Sequence, residues 1–136
     1  MFSGATMDFS KLNGLIPAVV QDAESHEVLM VGFMNDVALA RTRESGYVTF
    51  FSRTRNTLWM KGETSGNRLA VVSMLVDCDD DTLLIQARCE GDGNVCHTGA
   101  RTCFFTRLDS PPEESESSSA AGRASGGGAP RAANER

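Results

Sequence analysis

The sequence predicts an α+β fold, mostly antiparallel β-sheet with one main helix. Three observations carry that expectation. Short runs rich in Val, Ile, Leu, Phe and Thr recur between polar turns, the pattern of hairpins. A single segment carries both a helix start and a helix stop. From residue 109 onward every Val, Ile, Leu, Met, Phe, Trp, Tyr and Cys disappears, so the folding unit is residues 1–108.

The elements follow in order. Residues 17–22 (PAVVQD) and 28–33 (VLMVGF) are β-prone and are separated by the polar turn Ala23-Glu24-Ser25-His26-Glu27. Asn35 is suited to cap a helix over Asp36–Ser45, with Val37, Leu39 and Ala40 on its apolar side and Gly46 as its stop. Residues 47–53 (YVTFFSR) make the next strand, and Thr54-Arg55-Asn56 turns the chain into 57–61 (TLWMK). After the loop Gly62-Glu63-Thr64-Ser65-Gly66-Asn67, two longer strands at 68–76 and 82–88 flank an acidic stretch. Residues 90–100 read as glycine-rich loop and 102–108 (TCFFTRL) as a last short strand.

Composition narrows the function. The chain has 136 residues, enough for one domain, and 13 Lys+Arg against 18 Asp+Glu give a net charge of −5. No broad positive field exists for nucleic acid or an anionic membrane, so an anionic ligand must meet a local patch. In residues 109–136, 19 of 28 are Ser, Gly, Ala or Pro, too little apolar surface to offset ordering entropy; a disordered tail is expected. The remaining 108 residues carry −3 and form a core small enough to benefit from metal or oligomerisation. The N-terminus lacks a basic stretch followed by an apolar core, and no apolar run approaches the ~20 residues of a membrane span. A cytoplasmic location is expected. There, four cysteines point to metal or catalysis before disulfides, the plain alternative being small buried hydrophobes.

Asp77-Cys78-Asp79-Asp80-Asp81 places four carboxylates and a thiol in five residues, a mutual repulsion that a cation relieves. In an extended segment Asp77, Asp79 and Asp81 project to one side, which suits Mg²⁺, and Cys78 to the other, which suits Zn²⁺. A solvated acidic turn is the simpler reading. Cys96-His97-Thr98-Gly99-Ala100-Arg101-Thr102-Cys103 supplies two soft ligands with a histidine between them, half of a zinc site. With Cys78 the set becomes three thiolates, the ligand number of a catalytic zinc with an open position. His97 is then a fourth ligand, a general acid/base or a structural histidine. Cys89, at the end of an apolar strand, reads as packing.

A third feature is basic. Arg53, Arg55, Lys61 and Arg68 are offset only by Glu63, giving +3 across residues 53–68. Trp59 beside these cations, with hydroxyls flanked by Gly62 and Gly66, suits a phosphorylated aromatic ligand; a solvated strand edge is the alternative.

Taken together, Trp59-Met60-Lys61-Gly62-Glu63-Thr64-Ser65-Gly66, Asp77-Cys78-Asp79-Asp80-Asp81, Cys96-His97-Thr98-Gly99 and Cys103-Phe104 resemble, in order, the motifs of phosphoribosyl-AMP cyclohydrolase. The segments 14–22 (GLIPAVVQD) and 51–55 (FSRTR) are also similar, so the likeness covers about residues 8–108. The stretch 90–95 is longer than the family pattern. The resemblance implies Zn²⁺ on Cys78, Cys96 and Cys103, Mg²⁺ on Asp77, Asp79 and Asp81, and an intertwined homodimer whose zinc site is built from both chains. The implied reaction is hydrolytic opening of the adenine ring (N1–C6) of 1-(5-phosphoribosyl)-AMP in histidine biosynthesis, giving the formimino-aminoimidazole-carboxamide ribonucleotide. In that reading His97 carries the proton, Arg55, Lys61 and Arg68 meet phosphates, and Ser65 hydrogen-bonds the substrate. Some relatives carry a phosphoribosyl-ATP pyrophosphohydrolase after this domain, for which 109–136 is too short.

Two other classes fit parts of the sequence. A non-catalytic zinc-binding interaction module would use the cysteines structurally. An Mg²⁺-dependent nucleotide pyrophosphohydrolase would use the acidic stretch and leave the cysteines unexplained. A zinc nucleobase deaminase is disfavoured because neither H-x-E nor P-C-x-x-C is present.

Overall fold

The helix forms where its caps require. In the computed structural model, which describes residues 6–109, the Asn35 side chain accepts from the Ala38 N–H at 2.8 Å. At the other end Gly46 takes φ 81°, and its N–H donates to the Thr42 carbonyl. Between them lies α1 (Asp36–Ser45). Its buried face is Ala38, Leu39 and Thr42, so the expected apolar side needs correction: Val37 and Ala40 face solvent. Residues 38 and 42 lie one turn apart on one side, and Thr42 is tolerated inside because its hydroxyl donates to the Ala38 carbonyl and accepts from the Thr49 N–H.

The strands are β1 (Ile16–Asp22), β2 (Val28–Met34), β3 (Thr49–Ser52), β4 (Thr57–Met60), β5 (Leu69–Val76) and β6 (Leu83–Cys89). One sheet runs β2-β1-β6-β5, and β3 and β4 form a separate two-stranded ribbon. All pairings are antiparallel except β1 with β6, which run parallel and join distant parts of the chain. Alternation explains the core: Ile16, Ala18 and Val20 of β1 and Leu83, Ile85 and Ala87 of β6 are buried, with Phe50, Leu29, Met30 and Met34 filling the space beneath. Gly32 is required there, since a Cβ would lie 2.5 Å from the Phe50 ring. The ribbon is stitched to β5 through Val48 N–H to the Leu69 carbonyl and Val71 N–H to the Gly46 carbonyl.

The last expected strand does not form. Thr102 and Cys103 dock onto the start of β2, through Thr102 Oγ1 to the Val28 carbonyl and Cys103 N–H to the Leu29 carbonyl. Beyond them the chain finds no ladder, and Phe104 and Phe105 stay 60% and 58% exposed. The expected disordered tail lies, from residue 110 on, outside the described residues.

Candidate functional site

A cleft of about 860 Å³ opens between the loop after β4, the loop after β6 and the β3–β4 turn with the end of β4. Its lining brings together Arg55, Trp59, Lys61, Ser65, Cys96, His97 and Cys103. Residues more than thirty positions apart in sequence thus share one concavity, because the β3–β4 ribbon and β6 both deliver their loops to it.

Cys96 is buried on the floor of this cleft. Burial pushes its thiol up, but the Thr98 hydroxyl and N–H, the Cys103 thiol and the charge of Lys61 outweigh that and hold it below its ordinary value. The Thr98 Oγ1 to Cys96 Sγ distance is 3.1 Å. This chemistry fits a soft-metal ligand, which must be deprotonated to bind. Cys89 behaves oppositely: burial raises its thiol, as for a packing residue. Trp59 stacks obliquely on Phe50 with centroids 5.1 Å apart, Lys61 Nζ lies 5.9 Å from the Trp59 ring centroid, and Trp59 Nε1 is buried with no hydrogen-bond partner among the described residues.

The loop carrying Cys96, His97 and Cys103 is fixed from behind. Arg101 reaches Asp22 Oδ1 at 3.2 Å and Glu27 Oε1 at 2.8 Å. Asp22 also accepts from the Ser25 N–H and hydroxyl and the Glu24 N–H, so one carboxylate organises the β1–β2 turn and the loop together.

Other expected site residues lie elsewhere. Arg68 pairs with Glu90 at 3.2 Å, stacks 4.3 Å over Tyr47, and does not line the cleft. Asp77, Asp79, Asp81 and Cys78 sit at the β5–β6 turn, the far end of a hairpin whose near end pairs Leu69 with Cys89. The seven residue steps of β5 put that turn roughly 20 Å from the cleft end. The carboxylate oxygens of Asp77, Asp79 and Asp81 come within 4.8 Å of one another, a hard donor set that fits a divalent cation. They converge for a different reason than strand alternation. The segment is a turn, with Asp80 at φ 67° and Asp77 Oδ1 accepting from the Asp81 and Thr82 N–H groups.

Sequence reading missed Lys11, whose ammonium lies 3.1 Å from Asp81 Oδ2 and 3.5 Å from Asp79 Oδ2. A hydrogen bond from Lys11 pulls the Asp81 carboxyl down, whereas the hydrogen bond shared with Asp77 pushes Asp79 up. No local motif marks Lys11, because the contact spans about seventy residues of chain. Thr98 lies inside the Cys96-His97-Thr98-Gly99 motif, but its hydrogen bond to Cys96 is seen only in the structure.

Comparison with known proteins matches residues 30–105 to the family model for phosphoribosyl-AMP cyclohydrolase. The chain is 58% identical over 105 residues to the Histidine biosynthesis bifunctional protein HisIE of Bacteroides thetaiotaomicron, covering 77% of this chain and 51% of that protein. It is 56% identical over 104 residues to the Phosphoribosyl-AMP cyclohydrolase of Citrifermentans bemidjiense, covering 76% and 82%. To the HisIE of Vibrio vulnificus it is 53% identical over 108 residues, covering 79% and 48%. The chain spans about half the length of the bifunctional relatives it matches. Among the described residues no helix is long and apolar enough to cross a membrane. With a family model that covers more than half its length and relatives this similar, the chain belongs to the phosphoribosyl-AMP cyclohydrolase family of enzymes.

Proposed function

We propose that this chain hydrolyses the N1–C6 bond of 1-(5-phosphoribosyl)-AMP in histidine biosynthesis, acting as a cytoplasmic homodimer. The observation that carries the proposal is the single cleft in which Cys96, His97 and Cys103 face Arg55, Trp59, Lys61 and Ser65. Soft ligands, an imidazole and cations with an aromatic ring meet there, which is what a phosphorylated purine and an attacking water need.

Cys96 and Cys103, with Cys78 of the partner subunit, would hold Zn²⁺; Asp77, Asp79 and Asp81 would hold Mg²⁺. Zn²⁺ held there would act as a Lewis acid that lowers the pKa of water toward neutrality. The protein's own residues do the remainder. Lys61 and Arg55 attract the phosphates, Ser65 fixes one of them, and Trp59 receives the base. Water oxygen bonds to C6, the N1–C6 bond breaks, and C6 becomes a carboxamide carbon. His97 moves the proton from the attacking water to the departing N1, which ends as an amidine nitrogen.

A homodimer answers two facts at once. Cys78 is remote from Cys96 within one chain, and β5 is an edge strand whose stretch beyond residue 71 leaves Val72 and Leu75 50% and 51% exposed. A second copy covering β5 carries its own β5–β6 turn toward the cleft. Loss of the ultraviolet change of ring opening in Cys96→Ser, together with loss of bound zinc, is the expected test result. Full turnover by zinc-free Cys96→Ser protein would refute the proposal.

A further inference from the structure

The loop between β6 and Cys96 is in contact with the opposite wall of the cleft. Asn67 Nδ2 donates to Asp92 Oδ1 at 2.8 Å and to the Asn94 carbonyl at 3.0 Å, and Asn67 Oδ1 accepts from the Asp92 N–H at 3.2 Å. Asp92 Oδ1 also accepts from the Asn94 N–H at 3.1 Å, closing its own loop. On the other side the Asn67 N–H donates to Ser65 Oγ at 3.1 Å. One asparagine therefore ties the wall bearing Lys61 and Ser65 to the loop leading into Cys96 and His97.

The approach leaves no spare room. Gly91 sits at φ 73°, and a Cβ there would collide with Asn67 Oδ1. Gly62 sits at φ 81°, and a Cβ there would collide with the Asn67 carbonyl and the Arg68 nitrogen. Both glycines are needed to bring the two loops around Asn67. The Cys96–Cys103 loop, by contrast, has its own anchors in Arg101–Asp22, Arg101–Glu27 and Cys103–Leu29. Loss of the Asn67 contacts would free the substrate-holding wall and leave the metal-side loop in place.

Resting on the nucleotide reading of the cleft, we propose that Asn67 and Asp92 form a clasp that positions Lys61 and Ser65 for the substrate, making Asn67 a positioning residue. Asn67→Ala, Asp92→Ala and the double variant test it in the zinc-loaded full chain. KM for phosphoribosyl-AMP is expected to rise about tenfold in each, with kcat within about threefold of wild type, the loss of one or two hydrogen bonds' worth of binding. Zinc content stays at the wild-type level. The double variant is no worse than the poorer single one, because both changes remove the same clasp.

Trp59 is the only tryptophan, so its fluorescence reports AMP binding without turnover, and its titration is expected to show the same rise in Kd. Asn67→Asp, nearly isosteric, covers a failure of the alanine variants to fold: it cannot donate to Asp92 or Asn94 and should show the same rise. An unchanged KM in Asn67→Asp, additive effects in the double variant, or a fall in kcat with KM intact would overturn the clasp while leaving the ring-opening activity standing. A wild-type protein that neither opens the ring nor binds AMP would overturn the nucleotide reading and the clasp together.

Discussion

Cys96 stands between two opposed influences, burial that favours the thiol and three hydrogen-bond donors that favour the thiolate, and the donors prevail. His97 follows it directly in the chain and lines the same cleft. If His97 moves the proton, His97→Ala retains zinc and loses turnover by ~10²–10⁴-fold, measured by metal analysis and steady-state assay. Asp22 is the second residue with a measurable consequence. Hydrogen bonds from Ser25 come first, ahead of the opposing effect of burial, and with Glu24 and Arg101 they hold its carboxyl below 3.8. A depressed folded-state pKa contributes stability that is present above the unfolded value and lost as pH falls through the folded one. Asp22→Asn is therefore expected to destabilise the protein at neutral pH and to flatten the loss of stability below about pH 3.8, read by urea unfolding across pH. That Cys96, His97 and Cys103 share one cleft was legible in sequence because they stand within eight residues of one another. Lys11 and Asn67 were not, since each acts through contacts dozens of residues away.

At the scale of elements, local chemistry was legible and long-range pairing was not. The helix ends where Asn35 and Gly46 place it, because caps act within a few residues. Its inward face was misjudged because tertiary packing decides which residues are covered, and a threonine satisfied by backbone partners was able to go inside. The expected strand at 102–108 had the right composition, but only Thr102 and Cys103 bond to the edge strand β2, at the Val28 and Leu29 carbonyls, and no ladder follows. The convergence of Asp77, Asp79 and Asp81 was anticipated on the wrong geometry; a turn brings them together. Packing between β2 and β3 gives a direct test. Gly32→Ala presses a methyl into the fully buried Phe50 ring and should cost about 1–3 kcal/mol of stability by denaturant unfolding. On β5, Leu75→Lys puts a charge into the proposed subunit contact. A shift toward monomer in sedimentation, accompanied by loss of turnover, is expected; an active monomer would argue against a shared site.

For the whole molecule, a folding unit of about 108 residues would gain from a partner, and in the proposed homodimer the placement of its cysteines would give that partner chemical work. The negative net charge resolves into a carboxylate cluster at one end of the β5–β6 hairpin and a cleft with Arg55 and Lys61 at the other. Two copies arranged so that each hairpin end meets the other's cleft would place Mg²⁺ ligands, zinc ligands and phosphate contacts in one site. Subunit mixing tests that claim most directly. Cys78→Ser and Cys96→Ser are each expected to be inactive alone. Unfolded together and refolded as a mixture, half the dimers carry both chains, and each such dimer has one intact site, so about a quarter of wild-type activity should return. If the site is complete within one chain the mixture remains as inactive as its components, and that result would contradict the account.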